Sequence, residues 1–524
     1  MSGPDVSVVV AVYNTMPYLT ECLRSLASQT IGMDRIEIVA VDDGSTDGSG
    51  AELDRWAEKY PHTVKVLHQE NSGGPAGPSN RALDVATGRY VFFLGADDYL
   101  GTEALERLVR TADELEADIV LGRLVGAGGR VVNQAVYAPG NRDDITLVDS
   151  ALPWALSNTK LFRRSMLEEH HIRYPEELRS GSDQPFTIRA VVAARRIAVR
   201  ADYEFYYAVR RTDSSNITYR TSLYAFVQDA AVVMDAAADA ISDPAALARV
   251  LRRHFTWELG KLLGARFLAA DRDEQQRVQD GVRKLADAYL SDEIRASLDV
   301  QRRVPLSVAQ CGTLDDLVAV AQHYADHGLS PVVADGERYY IAFPGFRDPA
   351  RGFPDEWFDA TAHVRQLVHQ TGPADVRWGR TPDGRKALLV GWHSSLPNLN
   401  RGDEPAPRVL AGDRPAARTE SGNDDRGGTG VLGYLAVDDM VAGQRKRRVR
   451  RRVTFVWTTL GETHRLPVTA FDLSGVPRIL HRRGLRFYLV GADLDEDTRL
   501  RVVSTLVTPR RVAGRVVRRL RLKR

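Results

Sequence analysis

The sequence predicts an α/β N-terminal domain, then a helical segment, then a β-rich C-terminal region. Three observations predict it. Buried-type apolar strands alternate with amphipathic helices in the first third of the chain. Helical periodicity without strands runs from about Thr221 to about Tyr324. After Pro331, short apolar runs alternate with Gly, Pro and Asp turns. The expected divisions are 1–220 for the α/β domain, 221–330 for the helical linker, 331–509 for the β-rich region and 510–524 for a basic tail.

Each element follows in order. Val6–Val12 is a nearly continuous Val-rich run, as expected of a strand buried on both faces. Pro17 falls at a first helical turn, and Tyr18, Leu19, Cys22, Leu23 and Leu26 follow at helical spacing. Ile36–Val41 is a second buried strand, ending in Asp42-Asp43-Gly44-Ser45. A helix is expected over Ala51–Lys59 and a short strand over Val64–Leu67. The Gly/Pro-rich loop Asn71–Pro78 leads to a helix from Ser79 through Val85. Tyr90–Leu94 is a strand running into Gly95-Ala96-Asp97-Asp98. The order implies a parallel sheet with helices on both faces, in which ligands bind outside the carboxyl ends of the strands. In the second segment Leu223–Ala240 is an Ala- and Val-rich helix, followed by helices carrying Trp257, Leu262, Leu263 and Phe267. In the third, Tyr339–Phe343, Lys386–Val390, Val453–Thr459 and Leu485–Val490 read as strands of one or two β-sandwich modules, with Asn398–Gly430 as a long loop or linker between them.

Bulk composition narrows the function. The 524 residues carry 71 Lys and Arg against 69 Asp and Glu, a net charge of +2, so there is no global case for nucleic-acid binding. Two cysteines, Cys22 and Cys311, supply neither a disulfide framework nor zinc-site spacing. The start MSGPDVSVVVAVYN lacks a signal peptide's basic region, and no apolar stretch approaches a bilayer span. These features lead to the expectation of a cytoplasmic protein, peripheral at most to the inner face of the membrane.

Chemistry concentrates at strand ends. Asp42-Asp43 and Asp97-Asp98 each follow a buried strand. Carboxylates there can accept hydrogen bonds from a base or ribose, or bind Mg²⁺ or Mn²⁺ against a diphosphate. Asp and Gly also make ordinary turns, but two such pairs on neighbouring strand ends favour a site. The loop Asn71–Asn80 allows close backbone approach, though it lacks P-loop or dinucleotide-fingerprint spacing. Asp183, in Ser182-Asp183-Gln184-Pro185-Phe186, sits at a helix start, suited either to a general base or to an N-cap. Arg210, Arg211, Ser214 and Ser215 form a polar loop after Tyr203–Tyr207, able to clamp phosphates or simply to be solvated.

Taken together, VSVVVAVYN, VDDGSTDGS, NSGGPAGPSNRAL, ATGRYVFFLGADD and SDQPF resemble, in order, the motifs of family-2 glycosyltransferases of the GT-A fold, over about Val6–Thr218. The resemblance implies a Rossmann-like mixed sheet with helices on both faces. It implies that Ala11, Tyr13 and Asp43 hold the nucleoside, Asp43 facing uracil, and that Asn71, Pro78 and Arg81 lie along the donor. Ala96-Asp97 would end an Asp-x-Asp motif, Asp97 ligating Mn²⁺ or Mg²⁺ with Asp98 beside it. Asp183 would be the catalytic base of an inverting transfer, and Arg210, Ser214 and Ser215 a loop over the diphosphate. The chain departs from the family at Gly95, where an Asp is usual.

The order of segments resembles the teichoic-acid glycosyltransferases of Gram-positive bacteria. That implies a UDP-sugar donor (a hexose or N-acetylhexosamine), a cell-surface polymer or polyol-phosphate acceptor, and a homotrimer. Two basic runs are set apart, Arg445–Arg452 and Arg510–Arg524. The second has Val512, Val516, Val517 and Leu520 at helical spacing, which would suit an anionic membrane surface or an anionic polymer; a solvated tail is the alternative. Two rival readings are a sugar-phosphate nucleotidyltransferase, against which Tyr13-Asn14 stands where a basic Gly-rich loop is expected, and a non-catalytic carbohydrate-binding scaffold, favoured only by Gly95.

Overall fold

The computed structural model describes residues 3–178, 180–211, 222–329, 331–336, 338–367, 374–394, 405–423, 429–459, 462–470 and 472–507. Ser214, Ser215 and the tail Arg510–Arg524 lie outside these residues. The chain divides into two compact units, one of residues 1–298 with 305–321, the other of 299–304 with 322–524.

The first unit opens with β1 (Val6–Val12), α1 (Tyr18–Ala27), β2 (Ile36–Asp42), α2 (Ser49–Lys59), β3 (Val64–His68), α3 (Ala76–Val85) and β4 (Tyr90–Phe93). It continues with β5 (Tyr99–Leu100), α4 (Ala104–Glu114), β6 (Ile119–Ala127), β7 (Leu161–Arg163), α5 (Arg164–Glu169), α6 (Asp183–Ala193) and β8 (Ile197–Val209). The sheet order is β3-β2-β1-β4-β7-β6-β8-β5. Strands β3, β2, β1 and β4 are parallel, whereas β7 and β5 run antiparallel to their neighbours. The sheet is therefore mixed rather than wholly parallel, because β7 enters after a long excursion from β6 and can do so in either sense. Strand pleating assigns alternate residues to two cores. Val9, Val39, Val41, Val91 and Phe93 pack with α3 and α6; Val8, Val10, Ile38, Ala40 and Phe92 pack with α1, α2 and α4.

One boundary moves usefully. Helix α3 begins at Ala76 rather than near Ser79, so Pro78 lies in its first turn. Proline is tolerated there, since the N–H it lacks would have no helical partner.

The helical segment follows the sheet. Helix α7 (Leu223–Ala240) and helix α8 (Pro244–His254) supply Val233, Ala237, Ala246 and Val250 to the core shared with α3 and α6. A π-helical turn, Phe255–Leu259, continues α8. Within the described residues, no helix is long and apolar enough to cross a membrane.

The second unit holds a four-stranded antiparallel sheet (Asp375–Arg380, Lys386–Ser394, Thr429–Ala436, Arg418–Asn423) and a seven-stranded one carrying Arg448–Thr459 at its centre. Trp392 and Val431 from the first sheet and Phe455, Trp457 and Val502 from the second share one core. The expected linker Asn398–Gly430 instead contains the strands Arg408–Ala411 and Arg418–Asn423. Their Arg, Thr, Glu and Gly content hides them, since only Val409 and Ala411 carry a buried apolar signal. Part of the first basic run is absorbed locally: Arg448 and Arg450 approach Asp493, and Arg452 approaches Asp495.

Candidate active site

Parallel β1, β2 and β4 deliver their carboxyl ends to one edge of the sheet. The ends are tied together, with Asp43 N–H donating to Val12 O (2.8 Å) and Leu94 N–H to Val9 O (3.0 Å). Asp42 closes a turn, accepting from Ser45 N–H (3.0 Å) and pairing with His68 Nδ1 (3.0 Å). Asp43 is buried and faces the α3 loop. Its carboxylate accepts from Gln69 Nε2 (2.6 Å), Ser72 N–H (3.0 Å) and Ser72 Oγ (3.0 Å). Asn71 donates to Asp43 O (3.0 Å), and Arg81 donates to His68 O (2.8 Å) and Gln69 Oε1 (3.2 Å). Gln69 thus couples Arg81 to Asp43, a link that no motif in the sequence announces. Ala11, next to last in β1, is half-buried, Tyr13 just beyond the strand is 49% exposed, and Pro78 is buried in α3.

At the end of β4 the two carboxylates have different surroundings. Asp98 is buried and accepts from Tyr206 Oη (2.5 Å) and Val209 N–H (2.7 Å). Burial and the neighbouring Asp97 charge push its pKa up to about 6, against those two bonds and Arg130. Asp97 accepts from Arg211 Nε (2.6 Å), so Arg211 rather than Arg210 reaches the acidic pair; Arg210 is exposed at the end of β8. Gly95 is fitted to this arrangement. A Cβ there would stand 2.7 Å from Asp98 Oδ2 and 3.1 Å from Tyr206 Oη.

Among the described residues, no three metal-type ligands gather. A Mg²⁺ or Mn²⁺ ion bound mainly through substrate phosphates and water needs only one or two protein carboxylates. Asp97, whose side chain keeps 21% of its surface accessible, suits that role.

Asp183 is the first residue of α6, after Gly181 in the left-handed region (φ +74°). It is half-buried and its carboxyl is closely surrounded by protein. Burial raises its pKa, with Arg253 and Lys160 pulling it back and Glu258 adding to the rise. The helix start is braced against β4. Phe186 stacks on Tyr174 (4.2 Å between centroids) and meets Phe93 edge-on (5.3 Å). Beside it lies a cavity of about 430 Å³ lined by Gly181, Gln184, Phe226, Trp257, Glu258 and Lys261 among others. Trp257 is 38% exposed, with the Lys261 ammonium 4.1 Å from its ring centroid. Arg253 bonds Gln184 (2.7 Å) and Glu258 (2.6 Å). The sequence reading missed Lys160, Tyr206 and Arg253. A lysine before an apolar strand, a tyrosine within one and an arginine on a helix carry no pattern that marks them.

Strand-end carboxylates, a helix-start carboxylate of raised pKa and an adjoining cavity define an α/β group-transfer enzyme. The model of glycosyl transferase family 2 matches residues 7–170, and that of the glycosyl transferase TarS linker domain matches residues 224–321. The chain is 36% identical to a poly(ribitol-phosphate) beta-N-acetylglucosaminyltransferase TarS of Staphylococcus aureus (strain Mu50 / ATCC 700699) over 389 residues, 71% of this chain and 67% of that one. It is 41% identical over 206 residues to a poly(ribitol-phosphate) beta-glucosyltransferase of Bacillus spizizenii, covering 39% of this chain and only 32% of the relative's length. The crystal structure of S. aureus TarS 1–349 in complex with UDP-GlcNAc superposes with a TM-score of 0.57 at 30% identity, covering 67% of this chain and 98% of that one. The chain belongs to glycosyl transferase family 2 and is a glycosyltransferase.

Proposed function

We propose that the protein is an inverting transferase that moves a hexose or N-acetylhexosamine from a UDP-sugar to a hydroxyl of an anionic cell-surface polymer of the polyol-phosphate class. The observation that carries this reading is Asp183, a carboxyl of raised pKa at the start of α6, beside a cavity that Gly181, Gln184 and Trp257 line together with basic (Lys261, Arg266) and acidic (Asp229, Glu258) side chains. The donor's uridine would lie against Asp43, Ala11 and Tyr13, with Asn71, Pro78 and Arg81 along it. The acceptor would enter over Trp257, whose ring offers a polyol an apolar face, while Lys261 offers a phosphate a charge.

In the transfer, the acceptor oxygen attacks the anomeric carbon opposite the leaving group. Its proton passes to the Asp183 carboxylate, and the bonding pair departs with UDP. One base suffices, and no covalent intermediate is required. A Mn²⁺ or Mg²⁺ ion held by Asp97, when bound, offsets the charge growing on the diphosphate. Arg211, already on Asp97, brings a second positive charge to the same place, and Arg210, Ser214 and Ser215 belong to the same donor-closing group. A homotrimer, and contact of the basic tail with an anionic membrane at the cytoplasmic face, are further parts of this proposal; sedimentation and vesicle flotation test them.

UDP release from UDP-GlcNAc and UDP-glucose, with and without poly(ribitol phosphate) and with Mn²⁺, Mg²⁺ or chelator, tests the core of it. Acceptor-dependent release with a β-linked product is expected. Release that ignores the polymer contradicts the acceptor class.

A further inference from the structure

Strands β1 and β2 are parallel neighbours in the register Val12↔Asp42. The turn leaving β1 and the loop leaving β2 therefore run side by side beyond the carboxyl edge of the sheet. Between them, three successive N–H groups of the turn are taken up by side chains of the loop. Asn14 N–H donates to Ser45 Oγ (3.1 Å), Thr15 N–H to Ser49 Oγ (3.1 Å) and Met16 N–H to Asp47 Oδ2 (2.9 Å). One bond runs the other way, from Thr46 N–H to Asn14 Oδ1 (2.8 Å). It holds Asn14 in the left-handed region (φ +49°), which asparagine enters more readily than most side chains.

Asp47 governs two of the three ties. While Oδ2 holds Met16, Oδ1 accepts from Ser49 N–H (3.0 Å) and from the Ser49 hydroxyl (2.6 Å). That hydroxyl, having given its proton to Asp47, is left to accept from Thr15. Ser49 and Thr15 are both buried, so water does not replace either partner. Burial would raise the Asp47 pKa, but the bonds from Ser49 and Met16 lower it, which keeps the carboxylate ionised as an acceptor. An aspartate before α2 could serve only to cap that helix. A cap would use the Ser49 N–H alone, and it gives no reason for the bond to Met16, 31 positions back in the chain.

Tyr13 is carried by this stitched segment. On one side Val12 O accepts from Asp43 N–H (2.8 Å), and on the other Asn14 is bound to Ser45 and Thr46. A free turn would have to be ordered when a ligand meets Tyr13, and that ordering would weaken binding. A turn already fixed to the loop that bears Asp43 avoids this cost.

We infer that Asp47 is a positioning residue for the donor, holding the turn after β1 on the loop after β2 so that Tyr13 and Asp43 stand as two preset walls of the nucleoside site. The inference rests on the reading of Tyr13 and Asp43 as nucleoside contacts.

The test is a cycle of Asp47→Ala, Tyr13→Ala and the double variant in the full chain, with UDP binding measured by calorimetry. Asp47→Ala should weaken UDP binding about tenfold, roughly the worth of one hydrogen bond to a charged group. Once Tyr13 is alanine the same change should cost about twofold or less. Donor KM should rise in step, with kcat at saturating donor near the wild-type value. Asp47→Asn keeps an oxygen for Met16 N–H and should recover part of the loss. A tenfold loss that persists in the Tyr13→Ala background would reduce Asp47 to a cap on α2 and overturn the inference, leaving the reading of Tyr13 intact. Unchanged UDP affinity in Asp47→Ala would overturn it as well. Unchanged affinity in Tyr13→Ala would instead remove Tyr13 from the nucleoside site, and the positioning role with it.

Discussion

Gly95→Ala adds one methyl group at the point where the acidic pair is held. The new Cβ would lie 2.7 Å from Asp98 Oδ2, 3.1 Å from Tyr206 Oη and 3.2 Å from Asp97 Oδ1. Neither of the first two atoms can yield alone, because Tyr206 Oη bonds Asp98 Oδ2 at 2.5 Å and accepts from Gly95 N–H at 3.1 Å. Relief requires the carboxylate to leave the phenol. A hydrogen bond to a charged group contributes about 1.5–3 kcal/mol, and its buried partners would be left unsatisfied. At about 2.1 cal/mol/K per residue, a unit of roughly 300 residues shifts by about 1.5 °C per kcal/mol, so the N-terminal unit should melt roughly 2–5 °C lower. Differential scanning calorimetry with and without UDP reads it, since UDP should shift the transition of the unit that binds it. Tyr206→Phe removes the bond and part of the clash beforehand, so Gly95→Ala should cost less in that background. A transition for Gly95→Ala within about 1 °C of wild type, well below the cost of one such bond, would refute the reasoning. The glycine would then be incidental rather than fitted.

Four further outcomes follow from the same geometry. Gln69→Ala removes one bond each from Asp43 and Arg81, leaving Ser72 on the first and His68 O on the second, and should weaken UDP binding several-fold by calorimetry, with kcat at saturating donor less affected. Trp257→Ala and Lys261→Ala should each raise KM for a poly(ribitol phosphate) acceptor while leaving donor-only UDP hydrolysis unchanged, and the Lys261 effect should fade with added salt. The pH profile should show an acidic limb above the usual carboxylate range. The Asp183 pKa is raised, and under the proposed role its ionised form takes the proton, so activity should be lost as pH falls through that pKa. Arg211→Ala removes the cation on Asp97 and should lower the Mn²⁺ concentration needed for half-maximal stimulation, read by titrating the metal in the transfer assay.

The N-terminal domain was legible in the sequence because burial on both faces writes itself as unbroken apolar runs. Val6–Val12, Ile36–Asp42 and Tyr90–Phe93 lie where their Val, Ile and Phe content places them. Strands β6 and β7 escaped notice; β7 has three residues, and the apolar run of β6 is broken by Gly122 and Arg123, after which its residues are no longer buried. Polar strands such as Arg418–Asn423 escaped for a related reason, since one face meets solvent and the other offers glycine or short side chains. At the site, the acids at positions 43, 97 and 183 could be picked out by their place after strands or before a helix. Their partners could not. Gln69, Tyr206 and Arg253 act through contacts across 26, 108 and 69 positions of the chain, and no local spacing encodes such contacts. The environments that separate Asp97 from Asp98 arise only once β8 is in place.

The central claim is that Asp183 takes the acceptor proton in an inverting transfer from a UDP-sugar. Asp183→Asn keeps the shape and removes the base, so the rate of UDP-GlcNAc-dependent sugar transfer to poly(ribitol phosphate), measured beside UDP affinity on the same preparation, tests it most directly. Transfer should fall by about 10²–10⁴-fold, the usual worth of a general base, with UDP affinity essentially retained. A variant that binds UDP and still transfers within a few-fold of wild type would contradict the account.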